Sequence, residues 1–414
     1  MKRTFSFGDI FQQSRGQGTR QRRSQRLLVV GGVGLIAACY GLVRLAYGLY
    51  LPDVEAELGL DASMAGVVSG GASAMYCAAA IAGFFLAGRM PRILVAGAAS
   101  TAGGGALGMA LASQVEGFAA FAIVSSAGAG LASPALVELL RRAVSGDRGQ
   151  RLQVVVNAGT GPGLVLAGAL AMLLLPDWRL AWAAAAVVTF LSAFAVLTST
   201  ALPSTALPST ALPSSGRARH RDASAAVPPR AWFGQHLRVI CAALLLGAGS
   251  AAVWTFGRTV LVDGGASGDF SALAWMCLGL GGALVLPLSA AVRRLGSTRA
   301  WMLTALVVAA STALIGLFPG VRPLALLACV AFGWGYTAAT GALITWTSEI
   351  DERRASAGTA LLFVVLVLGQ GLGAALAGWG LAAATPGLVF VVAAALSAAA
   401  IVPARPVASI VRVP

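Results

Sequence analysis

The hydrophobic positions of this chain form long uninterrupted runs rather than an alternating or amphipathic pattern. Runs of about 20 apolar residues can cross the ~30 Å hydrocarbon core of a bilayer as helices, and continuous runs favour helices over a barrel. We therefore predict an all-α membrane protein. The expected spans of its twelve membrane helices are 27–51, 63–88, 93–113, 118–140, 152–175, 181–199, 237–262, 271–292, 299–318, 324–347, 357–380 and 387–403.

One stretch near the middle interrupts this pattern. From Ser199 the sequence STALP occurs three times in succession, and a proline at every fifth position cannot sustain a helix. We predict a flexible linker here that separates two six-helix bundles. The predicted organisation is a basic tail (1–26), a first bundle (27–199), the linker (200–236), a second bundle (237–403) and a short tail (404–414).

The two bundles resemble each other in the spacing of their glycines. Four glycines of predicted helix 5 and four of predicted helix 11 are related by an offset of 210 positions, namely Gly159, Gly161, Gly163 and Gly168 with Gly369, Gly371, Gly373 and Gly378. Tyr47-Gly48 and Phe256-Gly257 are related by an offset of 209. Such spacing indicates two parallel repeats.

Composition agrees with the membrane prediction. Charged residues make up 11% of the chain, against about 25% in soluble proteins. Although the net charge is +14, all but four of the 29 Lys and Arg residues fall in the tails, the linker and the loops on one side. This asymmetry predicts a multi-pass protein of the cell membrane with both termini in the cytoplasm. It argues against nucleic-acid binding, which requires a basic face on a soluble domain.

The residues that several chemical functions require are absent from the sequence. Lys2 is the only lysine, so no phosphate-binding loop with a GK[ST] sequence is present. The five cysteines form no CxxC pair, and we place His220 and His236 in the central linker. Membrane-embedded catalysis requires clustered titratable groups, which this pattern does not supply. We expect no enzyme activity, no metal and no cofactor.

Arg44 is the strongest candidate for a functional residue. It lies inside the first apolar run, and Tyr40 and Tyr47 lie four residues before and three after it, on the same helix face. A charge at that depth is costly unless it faces protein or water. Arg44 is expected to line a polar cavity and bind an anionic substrate group or a proton-carrying partner; the alternative is a structural bond to backbone carbonyls. Arg258, nearer the end of helix 7, is a weaker candidate with Asp263 beyond it.

The other candidates each have a structural alternative. Glu138 is the only acidic residue well inside a predicted helix, so it is a candidate for proton coupling, but Arg141 and Arg142 are placed to pair with it. Mid-helix amides bind substrate or join helices, and aromatic residues bind substrate or pack. These further candidates are Asn157, Gln370, Trp254, Trp334 and Tyr336.

In the arrangement of its predicted helices and loops, the chain resembles the major facilitator superfamily over nearly all of residues 27–403. The resemblance rests on the six-plus-six arrangement, the central loop, and the short basic turns after helices 2 and 8, which contain Arg89, Arg92, Arg293 and Arg294. It implies a cavity lined by helices 1, 4, 7 and 10, with those arginines in gating loops. The sequence departs from the family signature at Gly88, which occupies the acidic position, and at Pro91, which occupies a glycine position.

Together these observations predict a secondary active transporter that works by alternating access. The substrate is expected to be a small molecule, such as an organic anion or metabolite, coupled to protons. The alternative within transport is proton-driven efflux of lipophilic compounds, and a membrane sensor without transport is a further alternative. The partners are the substrate, the lipid bilayer and protons, and the resemblance favours a monomer.

Overall fold

The computed structural model describes residues 7–144, 147–201, 228–285, 287, 288 and 294–404. Within them it contains twelve long helices and no strands, which confirms the predicted fold class. The helix bounds are α1 Phe7–Ile36 continued by Ala37–Arg44 and Tyr47–Leu58, α2 Ala62–Leu86, α3 Pro91–Ala98 continued to Leu111, α4 Val115–Ser125 and Ala127–Ala143, α5 Asp147–Asn157 and Thr160–Leu174, α6 Trp178–Ala201, α7 Arg230–Asp263, α8 Gly268–Ala283, α9 Ser297–Leu317, α10 Arg322–Ile350, α11 Ala355–Ala383 and α12 Pro386–Ala399.

Eleven of these helices are long and apolar enough to cross a membrane. The twelfth, α8, has 16 residues in its described part. The helix ends fall into two groups, which we name by their charges. The acid end holds the helix termini near Asp53, Asp61 and Asp263, and the basic end holds those near Arg89, Arg142 and Arg294.

Packing within each half follows the same scheme. In the first half α1 contacts α5 and α6, and α4 contacts α2 and α3. In the second half α7 contacts α11 and α12, and α10 contacts α8 and α9. The halves meet along α2 with α11 and along α5 with α8, and the last turns of α1 meet α7 at the acid end. The glycine repeat read from the sequence therefore corresponds to a repeat in packing.

Several glycines allow helix backbones to touch. A Cβ built at Gly163 would lie 2.9 Å from the Cα of Ala37, and one built at Gly369 would lie 3.1 Å from the backbone nitrogen of Ala248. These glycines occupy equivalent places, since the first joins α5 to α1 and the second joins α11 to α7. Small residues at such contacts bring backbones closer than larger side chains permit.

Two predicted boundaries were wrong. The acidic segment after Leu51 was expected to be a loop, but α1 continues through it to Leu58. Asp53 and Glu57 pair there with Arg258 and Arg179, which stabilises the added turns, and glutamate is itself a good helix former. The linker was expected to reach residue 236, but α7 begins at Arg230. Residues 202–227 of the linker, with His220, lie outside the described residues, as do residues 405–414.

Because α7 begins at Arg230, His236 lies in this helix and in the protein interior, where the sequence had predicted a loop. Its side chain is buried, with Nδ1 2.9 Å from the Trp232 carbonyl and Nε2 3.0 Å from the Thr347 hydroxyl. The first hydrogen bond is to the residue four positions earlier, and the second crosses to α10. His236 therefore joins α7 to α10 at the basic end.

Regular α-helix is interrupted at four places in the first half. Ala37–Arg44 of α1 and Ala99–Gly103 of α3 are π-helical, while α4 is interrupted at Ser126 and α5 at Ala158 and Gly159. Pro162 explains the last break, because a proline cannot donate a hydrogen bond to the carbonyl four residues earlier, at Ala158. π-Helical turns inside α-helices are frequent at functional sites, and one of them here ends at Arg44.

Candidate functional site

Arg44 lies where the two halves meet. Its Nη2 donates to Gln370 Oε1 of α11 at 3.1 Å, and Gln370 Nε2 donates to the hydroxyl of Tyr336 on α10 at 2.9 Å. The guanidinium carbon lies 4.7 Å from the centre of the Tyr76 ring. Arg44 forms no ion pair with any described carboxylate. The charge is therefore held by an amide and an aromatic face, and it lacks a counterion from the described part of the chain.

Aromatic side chains from both halves lie beside Arg44. The hydroxyls of Tyr40 and Tyr76 lie 3.2 Å apart. Across the interface, the Tyr336 ring lies 5.3 Å from Trp254 and 6.1 Å from Phe332, measured between ring centres. This layer brings together four helices, two from each half.

A narrow cavity lies on the acid side of Arg44. Its floor contains Arg44 and Gln370, and Trp254 and Tyr47 line its walls. The other polar lining residues are hydroxyl-bearing, namely Ser69, Ser73, Ser125, Ser126 and Thr255. No acidic residue lines this cavity in the described part of the chain. Ser69 and Thr255 bond to each other at 3.0 Å across the two halves.

Three buried polar atoms belonging to this lining have no hydrogen-bond partner among the described residues. They are Ser126 Oγ, Trp182 Nε1 and Trp254 Nε1. Buried polar groups are normally hydrogen-bonded, so each unpaired one requires an explanation. All three groups can donate a hydrogen bond. The cavity thus combines one unpaired cation with donors that lack acceptors.

Above this cavity the acid end is closed by polar contacts between the halves. Arg258 of α7 is only 3% exposed; it pairs with Asp53 of α1, and it also donates to the Leu49 carbonyl and to Ser271. Gly48 lies against the backbone carbonyls of Trp254 and Thr255. We call the contacts of Gly48, Asp53 and Arg258 the acid-end closure. Asp53 lies in the last turns of α1, within the segment that was predicted to be a loop.

The predicted site residues separate into two groups. Arg44, Tyr47 and Gln370 line the cavity, and Tyr40 and Tyr336 lie directly beside it. Three others lie elsewhere. Arg258 is in the acid-end closure, Asn157 is exposed next to the break in α5, and Trp334 lies two residues from Tyr336 and so on another face of α10, where α10 packs against α8. Of the expected helices, α1, α4 and α7 line the cavity and α10 does not; α2, α3, α6 and α11 contribute the other lining residues.

Several residues of this region were not predicted from the sequence, and two of them show why. Tyr76 was overlooked because α2 was not expected to line the cavity; the signal was that it is the only tyrosine in α2. Ser126 had no signal in the sequence, because its importance comes from the break in α4 and from the absence of a partner within the described structure.

At the basic end Glu138 has two partners on its own helix. Arg141 donates to both of its oxygens at 2.7 Å, and Arg142 donates to Oε1 at 2.7 Å and to the Gly88 carbonyl at 2.8 Å. Arg142 therefore joins α4 to the Gly88 backbone, at the position where the resemblance led us to expect an acidic side chain. Arg89, Arg92 and Arg294 are exposed. Arg293 lies outside the described residues.

Replacing Glu138 by glutamine is expected to lower thermal stability and leave ligand binding unchanged. Glu138 is 8% exposed while both arginines are about half exposed, so the loss should be about 1–2 kcal/mol. The test is the melting temperature of purified Glu138→Gln beside Glu349→Gln, which removes another carboxylate near this end. If substrate binding or its pH dependence disappears in Glu138→Gln, the carboxylate is a coupling group instead.

Comparison with known proteins gives a consistent result. The family model described as Major Facilitator Superfamily matches residues 33–364. No curated protein matches the chain. Among solved structures, nucleoside transporter NupG has a TM-score of 0.72 at 15% identity, covering 92% of this chain and 98% of that one. A variant of peptide transporter POT has a TM-score of 0.71 at 14% identity, covering 92% and 93%. D-xylose-proton symporter has a TM-score of 0.67 at 17% identity, covering 91% and 96%.

Proposed function

The chain belongs to the Major Facilitator Superfamily, and from this membership we propose that it is a secondary active transporter of a small organic anion, with Arg44 as the charge partner of the substrate. The observation that carries the proposal is the position of Arg44, between the two halves and without a carboxylate partner in the described part of the chain. An unpaired cation in a membrane interior is costly, and an anionic substrate would remove that cost.

Alternating access is supported by the way the halves meet. Each half is packed internally by the same scheme, while the two halves touch along α2 with α11, along α5 with α8 and at the acid-end closure. Contacts such as Gly66 against Gly378 and Gly161 against Gly279 involve small residues, which allow closely packed helices to move against each other. We propose that the closure opens and closes as the halves rock about the cavity.

We further propose that the protein works as a monomer in the cell membrane, with the basic end in the cytoplasm. The arginines at this end, including Arg89, Arg142 and Arg294, support that orientation. Protons remain the predicted coupling ion. Since no described carboxyl lines the cavity and Glu138 is paired, a coupling proton would have to be carried by another group or by the substrate itself.

Efflux of lipophilic compounds is a second candidate, because the aromatic rings of Tyr40, Tyr76, Trp254 and Tyr336 form a layer beside Arg44. Aromatic residues bury large apolar surfaces, so they suit a neutral lipophilic substrate as well as an anionic one. The two candidates differ in what Arg44 contributes to binding.

A thermal-shift screen of purified protein separates them. Organic anions are expected to raise the melting temperature, because a ligand at 100 times its Kd stabilises by about 2.7 kcal/mol. In Arg44→Ala this shift should disappear, since hydrogen bonds to charged groups contribute about 1.5–3 kcal/mol each. Arg179→Ala, which removes a guanidinium paired with Glu57 at the acid end, is the matched control and should respond like the unmodified protein.

The screen has a clear opposite outcome. If cationic or neutral lipophilic compounds stabilise the protein and Arg44→Ala responds equally, the anion proposal is wrong and efflux of lipophilic compounds becomes the better account. If Arg44→Ala does not fold, Arg44→Lys retains the charge and tests whether the planar, multidentate guanidinium is needed.

A further inference from the structure

The guanidinium of Arg44 has unused hydrogen-bonding capacity. Its Nη2 is bonded to Gln370, and its remaining N–H groups have no acceptor among the described residues. A guanidinium offers five donors in a planar arrangement and binds a carboxylate through two parallel hydrogen bonds. A single carboxylate fits this requirement and also neutralises the charge.

The rest of the lining points to further acceptors on the same ligand. Ser126 is 1% exposed and Trp254 is 8% exposed. Neither Ser126 Oγ nor Trp254 Nε1 has a hydrogen-bond partner among the described residues. Both residues line the cavity whose floor is Arg44. A second carboxylate oxygen or a ring substituent would supply an acceptor that the chain does not provide.

Aromatic surfaces enclose the cavity from both halves. Tyr47 lines it from α1, and Trp254 lines it from α7. The Trp254 ring is itself fixed by Trp275, Phe332 and Tyr336, whose ring centres lie 6.2, 5.5 and 5.3 Å away. Because its position is set by these neighbours, Trp254 offers a pre-organised aromatic surface. Such surfaces favour stacked or edge-to-face contact with another ring.

The lining also excludes a class of ligand. An ammonium group needs a carboxylate, and none of the described lining residues is acidic. It would also lie close to Arg44, where like charges repel in a medium of low dielectric constant. For zwitterionic amino acids and peptides, the unfavourable free energy of placing the ammonium group here therefore offsets the favourable free energy of binding the carboxylate.

We propose that this cavity binds an aromatic monocarboxylate without an ammonium group, with the carboxylate on Arg44 and the ring between Tyr47 and Trp254. This inference rests on the proposed function and specifies its substrate class. The cavity is narrow in the closed arrangement, so the ring enters as the halves separate.

The test compares four probes by titration calorimetry on the full-length protein. Benzoate has the charge and the ring, cyclohexanecarboxylate has the charge and a saturated ring, benzamide has the ring without the charge, and phenylalanine adds an ammonium group to both. We expect benzoate to bind tightest. Cyclohexanecarboxylate should bind about two- to tenfold more weakly, which is the typical value of an aromatic contact. Benzamide and phenylalanine should bind at least about tenfold more weakly than benzoate.

A variant locates the ring contact. Trp254→Leu should weaken benzoate more than cyclohexanecarboxylate, because both ligands lose the indole N–H and only benzoate also loses the contact between aromatic rings. Trp379→Leu, which removes an exposed tryptophan of α11, is the matched control and should change neither. If Trp254→Leu does not fold, the comparison of the four probes on the unmodified protein still decides the outcome.

The possible failures are distinguishable. Equal affinity for benzoate and cyclohexanecarboxylate overturns the aromatic inference and leaves the anion proposal standing. Phenylalanine binding as tightly as benzoate overturns the exclusion of ammonium groups. Benzamide binding tighter than benzoate overturns both the inference and the proposed function. If none of the four binds, the aromatic class is wrong, and the wider anion screen decides the proposed function separately.

Discussion

Replacing Arg258 with alanine is expected to shift the protein strongly toward an arrangement with the acid end open. Arg258 is 3% exposed, and it bonds Asp53 and the Leu49 carbonyl of the other half. Removing it leaves the Asp53 carboxylate, 19% exposed, without its partner. Breaking a buried ion pair by removing one member costs about 3–5 kcal/mol.

Only the closed arrangement bears this cost. When the halves are apart at the acid end, Asp53 faces water and the loss of Arg258 changes little there. The equilibrium between the closed and open arrangements should therefore shift by roughly two to three and a half orders of magnitude. A transporter held open on one side should bind substrate and transport it poorly, so we expect a large loss of transport with retained binding.

The measurement is a distance between spin labels at the acid end of each half. Glu116 and Asp269 are both exposed, and labelled cysteines at these positions, in a chain whose five native cysteines are replaced, report the separation by pulsed electron resonance. Arg258→Ala should add a longer distance. Arg179→Ala is the control, because its partially exposed pair with Glu57 lies within one half and such pairs contribute about 0–1 kcal/mol. An unchanged distance in Arg258→Ala would show that the closure does not depend on this ion pair.

The second large effect is expected at Gly48. A Cβ at this position would overlap the Trp254 carbonyl oxygen and lie 2.8 Å from that of Thr255. Both are backbone atoms of the other half, so no side-chain rotation relieves the overlap. Overpacking a well-packed contact costs about 1–3 kcal/mol or more. Gly48→Ala should therefore separate α1 from α7 and open the acid end.

The sequence repeat provides a matched control for this substitution. Gly257 is the counterpart of Gly48 in the second half, yet a Cβ there would contact the Val253 side chain at ordinary van der Waals distances of 3.4 and 3.9 Å. Gly257→Ala should therefore leave the label distance unchanged, while Gly48→Ala lengthens it. Combined with Arg258→Ala, Gly48→Ala should add little, because both act on the same closure. Equal behaviour of the two glycine variants would contradict the close approach seen here.

A feature of the fold or of the site could be predicted from the sequence where it depends on residues close together in the chain. The helices follow from runs of apolar residues, which a window of about 20 positions reveals. Arg44, Tyr40 and Tyr47 were found together because residues three or four apart share a helix face. Gln370 was a candidate as a mid-helix amide and Tyr336 as an aromatic residue, although the hydrogen bonds that join Arg44 to Gln370 and Gln370 to Tyr336 were not predicted.

Contacts between distant positions were not predictable in this way. Arg258 was a candidate for substrate binding or coupling, and no local pattern indicated that its ion-pair partner is Asp53, 205 positions away in the other half. His236 was placed in a loop because the linker composition obscured the start of α7, and its bond to Thr347 spans 111 positions. No local pattern encodes which two helices meet, so these pairs required the structure.

The irregular turns of α1, α3, α4 and α5 have a mechanical consequence. In the described parts of α7, α9, α10 and α11 the helix continues without such an interruption. Helices deform most easily where their hydrogen-bond ladder is disturbed. The elastic compliance of the molecule is thus concentrated in the first half, beside Arg44, while the second half serves as the stiffer frame. The two repeats share a packing scheme, but the first is expected to deform more than the second.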